Sequence, residues 1–485
     1  MNKKIRSVKT NALLNVIKQS CNIIFPLITY PYVSRVLGNT GLGKYSFSSS
    51  ITSIAGTLAA LGISTYAIRE GARIRNDKDK VKQFSSELFS INIISMLITV
   101  VALVLLTLFV PRLNRNAVLT YILCVNIVTS VLGRDWVNTI YEDFFFVTVR
   151  YIVFQSIAVV LIFLFVRKPE DYIIYTAITV FGNSGGYIAN IFHTRKYVPY
   201  RLTNKINIKK HIKPILYLFG VSLAIQIYVQ SDITVLGFYR PDSEIGIYTI
   251  ASKVYEIIKS LLNAVIIVVI PRLSNYLGQG KKDRYIYLTN KLRDSLYVII
   301  FPCIVGLFFE SRNVMQLIGG KTYIDGAVPL RILCIALGCA VFGCFYSQGV
   351  LVPNRRDKYY FIATIISALM NIGLNIVIIP FLGMAGAALT TVLAELIVVS
   401  ICRKYSVDMI SNGDLKEYIS IGIGCSSIAV ICFFTNSLKI NYILQLIFAI
   451  VLSIIAYAVL LIALKNRIIL EAIETLKSKS PLSKG

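Results

Sequence analysis

The chain has 485 residues, of which 56% are hydrophobic and only 15% are charged, and its mean hydropathy is +0.69. A typical soluble domain carries about 25% charged residues, so an ordinary soluble protein of this length is excluded. The net charge of +26 does not indicate nucleic acid binding, because the basic residues are divided among short segments between apolar runs.

Apolar runs of about 20 residues follow one another along the chain, and each is long enough to cross the hydrocarbon core of a bilayer as a helix. The pattern predicts an all-α polytopic membrane protein with about 14 transmembrane helices. The predicted spans lie near residues 10–36, 44–67, 84–110, 116–138, 144–166, 172–192, 213–238, 245–270, 290–309, 327–350, 359–380, 384–401, 416–435 and 442–464.

Basic residues crowd every second connection between these spans. One side of the membrane receives 34 of the 50 basic residues, from the N-terminus, the loops at 69–82, 194–213, 272–293, 353–358 and 403–416, and the tail after residue 464. The opposite side receives only 8. Because lysine and arginine are enriched in cytoplasmic loops, this asymmetry predicts that both termini are cytoplasmic.

The chain resembles itself at an offset of about 200 residues. Val36-Leu37-Gly38 followed by Gly43-x-Tyr45 matches Val235-Leu236-Gly237 followed by Gly246-x-Tyr248, and Gly182-x-x-Gly185 matches Gly383-x-x-Gly386. The repeat predicts a six-helix lobe over residues 1–205 and a second, pseudo-symmetric one over 206–405. Residues 406–485 then hold helices 13 and 14 and a basic cytoplasmic tail. Transporters built from two such repeats hold their substrate between them.

Several predicted spans carry a row of polar residues on one helical face. In the first span the steps between these residues are 4, 3 and 4, which is the helical period. The rows comprise Asn11, Asn15, Lys18 and Asn22 in span one, Ser49 in span two, Gln226, Gln230 and Asp232 in span seven, and Thr249, Ser252, Lys253, Glu256 and Lys259 in span eight. Span twelve adds Glu395. We expect these residues to line a polar lumen that is rich in cations.

A charge inside a bilayer costs at least about 2.5–3.5 kcal/mol, so it usually marks a pathway or a binding surface. Lysine is a common point-charge partner of phosphate, so the row of cations favours an anionic substrate. Two structural interpretations stay open. Lys18 is near enough to its helix end to reach the headgroups, and Lys253, Glu256 and Lys259 could form a self-compensating i,i+3 network.

Groups of motifs spread over nearly the whole chain resemble the polysaccharide (O-antigen type) flippases of the multidrug/oligosaccharidyl-lipid/polysaccharide exporter superfamily. The likeness is carried by Leu37-Gly38 with Gly43-Lys44-Tyr45-Ser46-Phe47, by Gly62-Ile63-Ser64-Thr65-Tyr66, by Trp136 with Glu142, by Asp232-x-x-x-Leu236-Gly237 with Gly246-x-Tyr248-x-x-Ala251-x-Lys253, and by Gly383-x-Ala385-Gly386. The resemblance implies two six-helix lobes arranged as a V, with two extra C-terminal helices.

The same resemblance implies translocation of an undecaprenyl-diphosphate-linked oligosaccharide to the outer leaflet of a bacterial inner membrane. Lys18, Lys253 and Lys259 would then contact the diphosphate, and Asp232 and Glu395 are candidates for ion coupling. The other polar residues of the rows would line the sugar path. Membrane lipid is a further expected partner, and a polysaccharide polymerase and a chain-length regulator are candidate partners.

Metal and cofactor chemistry is not indicated by the sequence. There are only two histidines, the nine cysteines contain no CxxC, and no GxxxxGK[ST] motif for ATP is present. The membrane potential, or counter-transport of H⁺ or Na⁺, is left as the driving force. The rival readings are a multidrug exporter of the same superfamily, a lipid II flippase, a membrane polysaccharide polymerase or ligase, and a scaffold without transport.

Overall fold

The structure is a computed structural model that describes residues 8–204, 206–411 and 413–479. Every long element in these residues is an α-helix. The helices are α1 Val8–Ala60, α2 Ile63–Ile74, α3 Lys78–Phe109, α4 Pro111–Asn114, α5 Ala117–Gly133, α6 Asp135–Ile140, α7 Phe144–Phe165, α8 Tyr172–Thr194, α9 Ile208–Tyr239, α10 Asp242–Gly278, α11 Lys282–Gly319, α12 Ala327–Cys344, α13 Asp357–Lys404, α14 Leu415–Ser437, α15 Tyr442–Ala463 and α16 Arg467–Lys479. The predicted all-α fold class is confirmed.

Within the described ranges, 11 helical stretches are long and apolar enough to cross a membrane. Two of these stretches each cover two predicted spans. In each, the two spans follow one another directly and are separated only by a kink at one non-helical residue, Gly38 in α1 and Gly383 in α13. The predicted span at 172–192 is α8, which Gly182, Ser184 and Asn190 make less apolar than its neighbours. The helices therefore agree with the predicted count of about 14 spans in a multi-pass membrane protein.

The chain divides into two compact units, Met1–Gly246 and Ile247–Gly485. The predicted boundaries at residues 205 and 405 rest on the sequence repeat rather than on compactness. They stay a prediction.

In the first unit, the two copies of the repeated glycine motif lie against each other. A Cβ on Gly43 would stand 1.7 Å from the carbonyl oxygen of Asp242, and one on Gly246 would stand 1.9 Å from that of Asn39. Arg112 also contacts the start of α10, through a 2.7 Å ion pair with Asp242. The start of α10 thus packs on α1 with no room for a side chain at either glycine.

We expect Gly43→Ala and Gly246→Ala each to destabilise the protein by about 1–3 kcal/mol, because the added methyl group meets backbone rather than a movable side chain. The measurement is the unfolding temperature of the purified protein in detergent. Gly220→Ala is the matched control, since a Cβ there meets nothing within 4 Å. Equal unfolding temperatures for all three variants would contradict this packing.

The second unit is held by α11 packed against α12, α14 and α15. Buried Val298, Ile421, Cys425 and Leu461 form one apolar cluster on α11, α14 and α15. Phe345–Leu351 continues α12 as a π-helical turn, a geometry that is frequent at functional sites. The last helix, α16, returns to α11 through a 2.6 Å ion pair between Glu471 and Lys291.

Candidate functional site

The polar row of the first span lies on α1, and its members differ in environment. Asn11 is buried, and neither polar atom of its side chain has a hydrogen-bond partner among the described residues. Asn15 and Asn22 are exposed, and Asn22 donates to Gln19 over 3.2 Å. Lys18 is half-buried, with its Nζ 5.8 Å from the ring centroid of Tyr151. Only Lys18 and Asn22 of this row line the pocket that follows.

A pocket of about 210 Å³ opens beside Lys18 inside the first unit. Its walls come from α1, the start of α6, α7 and α8, all in the Met1–Gly246 unit. Its lining residues are Lys18, Asn22, Asp135, Val147, Arg150, Tyr151, Gly182, Asn183, Gly186 and Tyr187. We call it the Lys18–Arg150 pocket. Two cations and one carboxylate face it, so the pocket carries net positive charge.

Arg150 is the most firmly held charge of this pocket. Its Nη2 lies 2.5 Å from Asp135 Oδ1, and its Nη1 donates to the Gly186 carbonyl over 2.6 Å. Asn190 supports the carboxylate by donating to Asp135 Oδ1 over 3.0 Å. Lys18 is not held in this way, because it forms no ion pair among the described residues. The pocket therefore combines one fixed and one free cation.

The local sequence explains how the carboxylate reaches this position. α5 ends at Gly133, and Arg134 then adopts the left-handed conformation at φ 48°. The turn redirects the chain so that Asp135 begins α6 and returns toward α7. On α8, a Cβ at Gly182 would come within 3.0 Å of the Ala158 Cβ, so the glycine allows α7 and α8 to approach closely.

Arg150 and Asp135 were not among the residues predicted from the sequence. Arg150 is a lone charge in an otherwise apolar run, 144–166, and that signal alone could have drawn attention to it. Asp135 falls at the end of a span, where a carboxylate is ordinary. Their pairing depends on the turn at Arg134, which no periodicity encodes.

The polar row of α10 lies in the second unit, and it is made of pairs rather than free cations. Lys253 Nζ lies 2.6 Å from Glu256 Oε2, three residues further along the helix. Both side chains are about two-fifths exposed. Lys259 does not continue this ladder, because the carboxylate that it pairs with is Glu395 on another helix, α13.

Glu395 on α13 accepts from two α10 side chains. Its Oε1 lies 3.4 Å from Lys259 Nζ and 3.1 Å from the Tyr255 hydroxyl. Lys259 Nζ also lies 4.7 Å from the Tyr255 ring centroid. Only 10% of the Glu395 side chain is exposed, whereas 29% of the Lys259 side chain is, so the carboxylate is the more buried partner. Such a pair responds to anything that competes for either partner.

The remaining predicted residues fall on the same helices. Ser49 is half-buried on α1, and Gln226, Gln230 and Asp232 are half-buried on α9. Asp232 also has interactions with its surroundings, among them a 3.5 Å contact with the Ser231 hydroxyl. On α10, Thr249 is buried and Ser252 donates to the Thr249 carbonyl over 3.0 Å.

A second polar cluster fixes the turn between α6 and α7, outside the spans. Asp143 Oδ2 accepts from His193 Nε2 and from the Tyr197 hydroxyl, both at 2.8 Å, and from Lys196 Nζ at 3.2 Å. Burial disfavours ionisation of this carboxyl, but the three hydrogen bonds outweigh burial and hold its pKa well below the ordinary value. The cluster ties the start of α7, and with it Arg150, to the end of α8.

Known proteins resemble this chain in sequence and in fold. A protein named "Putative O-antigen transporter" from Escherichia coli (strain K12) is 23% identical over 83% of this chain and 97% of its own length. The lipid II flippase MurJ in an inward closed conformation superposes with a TM-score of 0.74 at 19% identity, over 93% of this chain and 99% of MurJ.

An inward-facing multidrug resistance MATE transporter of the MOP superfamily superposes with a TM-score of 0.59 at 16% identity, over 81% of this chain and 98% of that one. At such identities the two superpositions establish the fold alone. The prediction of a transporter rather than an enzyme is confirmed, because the relative is named as a transporter. The family model described as "Polysaccharide biosynthesis protein" matches residues 8–277, more than half of the chain. The protein therefore belongs to the polysaccharide biosynthesis protein family, as its motifs predicted.

Proposed function

We propose that the protein is a flippase for undecaprenyl-diphosphate-linked polysaccharide repeat units of the O-antigen or capsule type. It moves them from the cytoplasmic to the outer leaflet of the bacterial inner membrane by alternating access. The observation that carries this proposal is the Lys18–Arg150 pocket, a cationic site among membrane-spanning helices of a polysaccharide biosynthesis family member. A relative named as an O-antigen transporter supports the same substrate class.

The chemistry of the pocket suits a phosphate group attached to a sugar. Lys18 supplies a movable point charge, while Arg150 holds a planar guanidinium in a fixed position. The amides of Asn22 and Asn183 supply donors and acceptors for sugar hydroxyls at the same wall. In a site of low effective dielectric these contacts are worth more than in water.

The lysines of α10 bind the diphosphate of the substrate by exchanging a carboxylate partner for a phosphate. A diphosphate that approaches Lys253 or Lys259 competes with Glu256 or Glu395 for the ammonium group. A carboxylate that loses its lysine then favours uptake of a proton or sodium ion. Glu395 is therefore one ion-coupling residue in this proposal, and Asp232 on α9, which the sequence predicted, is the second candidate.

The energy for transport comes from the membrane potential or from this ion exchange. Each negative charge that moves outward across an inside-negative membrane gains ~2.3 kcal/mol per 100 mV. Both termini are cytoplasmic in this arrangement, as the loop charges predict. A polymerase and a chain-length regulator act on the repeat units after they reach the outer leaflet.

Deletion of the gene in its native host tests this proposal. We expect lipid-linked repeat units to accumulate on the cytoplasmic side and surface polysaccharide to disappear, and plasmid-borne wild-type protein to restore it. The sidedness is read by the access of an impermeant glycosidase in right-side-out and inverted vesicles. Intact surface polysaccharide together with increased sensitivity to cationic drugs would contradict the proposal and favour a multidrug exporter.

A further inference from the structure

A chain of hydrogen bonds through buried Asn190 ends on Arg150. Asn190 Nδ2 donates to the Gly133 carbonyl over 2.5 Å and to Asp135 Oδ1 over 3.0 Å. Asp135 Oδ1 in turn accepts from Arg150 Nη2 over 2.5 Å. Asn190 is 0% exposed, and all of these residues belong to the Met1–Gly246 unit. One buried amide therefore holds the carboxylate that pairs with the fixed cation of the pocket.

The orientation of the Asn190 amide follows from its partners. A carbonyl and a carboxylate both face one terminal atom of the amide, so that atom is the donor nitrogen. On the other side, Asn138 Nδ2 donates to Asn190 Oδ1 over 2.7 Å. Asn138 is also buried, and its own Oδ1 has no hydrogen-bond partner among the described residues. Leaving a buried acceptor unbonded costs free energy, and this cost accompanies the contact that orients Asn190.

Asp135 is the accessible member of this chain. Its side chain is 39% exposed, whereas only 7% of the Arg150 side chain is exposed, and both residues line the Lys18–Arg150 pocket. A phosphate group that enters the pocket therefore meets a guanidinium that is already paired with a carboxylate. The phosphate has to share or displace this partner, and the two negative charges repel each other. Asp135 thus opposes the binding of an anion to Arg150.

A transporter has to release its substrate as well as bind it. Differences in affinity lie mostly in the dissociation rate, so a pocket with two unopposed cations would hold a diphosphate longer. A carboxylate beside Arg150 gives the guanidinium a partner as soon as the phosphate leaves. The buried amide of Asn190 keeps this part-exposed carboxylate against Arg150, where it would otherwise be free to turn toward solvent.

We propose that Asp135 sets the affinity of the Lys18–Arg150 pocket for a diphosphate by competing with it for Arg150. Asn190, oriented by Asn138, is the positioning residue that holds Asp135 in place. This inference rests on the proposed function, and it adds to the two cations of the pocket a carboxylate that limits their hold on the substrate.

Titration calorimetry of inorganic pyrophosphate binding to the purified full-length protein tests this proposal. Asp135→Asn keeps an oxygen that can accept from Arg150 and removes the negative charge. Glu170→Gln is its matched control, because Glu170 is exposed in the connection before α8 and lies outside the pocket.

The positioning role needs a second pair of variants. Asn190→Ala removes the amide that holds Asp135. Asn92→Ala is its matched control, because Asn92 is also buried and donates to a backbone carbonyl, that of Ala59, away from the pocket. The two alanine variants each lose a buried amide, but only one of them releases the carboxylate.

We expect Asp135→Asn to lower the dissociation constant of pyrophosphate at least about tenfold. Asn190→Ala should lower it by a smaller factor, and Asp135→Asn should add little in the Asn190→Ala background. Lys18→Gln should weaken binding in every background, which assigns the probe to this pocket, and both controls should bind as wild type does. Binding by Asp135→Asn that is absent, unchanged or weaker, or an Asn190→Ala variant that binds as Asn92→Ala does, would overturn the proposal.

Transport kinetics in vesicles separate this role from a structural one. With a fluorescent undecaprenyl-diphosphate oligosaccharide, Asp135→Asn should lower both KM and the maximal rate of exchange between leaflets. A variant that only loses folded protein lowers the maximal rate and leaves KM unchanged, and this result for Asp135→Asn would contradict the proposal. The expected pyrophosphate affinities in a protein that flips nothing would contradict the proposed function, and would leave Asp135 as the residue that sets anion affinity.

Discussion

Arg150→Ala should abolish transport and also destabilise the protein. The substitution removes buried Arg150, which pairs with the partly exposed Asp135 and donates to the Gly186 carbonyl. A hydrogen bond to a charged group contributes about 1.5–3 kcal/mol, and Asp135 keeps its hydrogen bond from Asn190. We therefore expect a clear fall in unfolding temperature together with loss of surface polysaccharide.

Lys18→Gln separates the transport effect from the folding effect. Lys18 is half-buried and forms no ion pair among the described residues, so its removal leaves the Arg150–Asp135 pair intact. A charge-assisted hydrogen bond contributes about 1.5–3 kcal/mol, which corresponds to roughly 10–100-fold in substrate affinity. We expect transport at low substrate concentration to fall by about this factor, while the unfolding temperature stays within about 2 °C of wild type.

Arg150→Lys tests whether the shape of the guanidinium contributes beyond its charge. An ammonium group carries the same charge but lacks the planar fork that reaches Asp135 and the Gly186 carbonyl together. We expect intermediate stability and transport well below wild type. Wild-type transport in Arg150→Lys would mean that the pocket needs only a positive charge at this position.

Lys253→Gln should reduce transport by at least about tenfold, and the double variant Lys253→Gln/Glu256→Gln should not recover it. The pair is partly exposed and lies at an i,i+3 spacing, so its own contribution to stability is small. If Lys253 served only to neutralise Glu256, transport would recover in the double variant. If Lys253 binds the substrate, transport stays low in the double variant, because the cation itself is missing.

The measurement is the rate at which the variants restore surface polysaccharide to a deletion strain, at matched protein levels. Lys281→Gln, an exposed lysine in the loop before α11, is the control for loss of one positive charge. Full activity of the double variant would contradict a substrate contact for Lys253. It would favour the interpretation of the row as a self-compensating pair.

The local parts of the site could be predicted from the sequence, because they depend on helical spacing alone. The steps of 4, 3 and 4 placed Lys18 and Asn22 on one face of α1, and both line the pocket. The i,i+3 spacing of Lys253 and Glu256 likewise predicted their contact. Helix existence followed from apolar run length, which the bilayer dictates.

The long-range parts could not be predicted from one sequence. Lys259 and Glu395 are 136 residues apart, and no periodic pattern links α10 to α13. The sequence repeat made Gly43 and Gly246 equivalent, but their direct approach is a packing result that equivalence does not imply. Arg150 was not predicted, and its pairing with Asp135 depends on the turn at Arg134, which no helical spacing reveals.

The most direct test of the account is flipping by the purified protein in phosphatidylcholine vesicles. A fluorescent undecaprenyl-diphosphate oligosaccharide is followed by the fraction that a membrane-impermeant reagent can quench, under an imposed potential. We predict rapid exchange between leaflets with wild type and at least about tenfold slower exchange with Lys18→Gln, at equal unfolding temperature. Exchange no faster than in protein-free vesicles, or equally fast with Lys18→Gln, would contradict a cationic pocket that carries a lipid diphosphate.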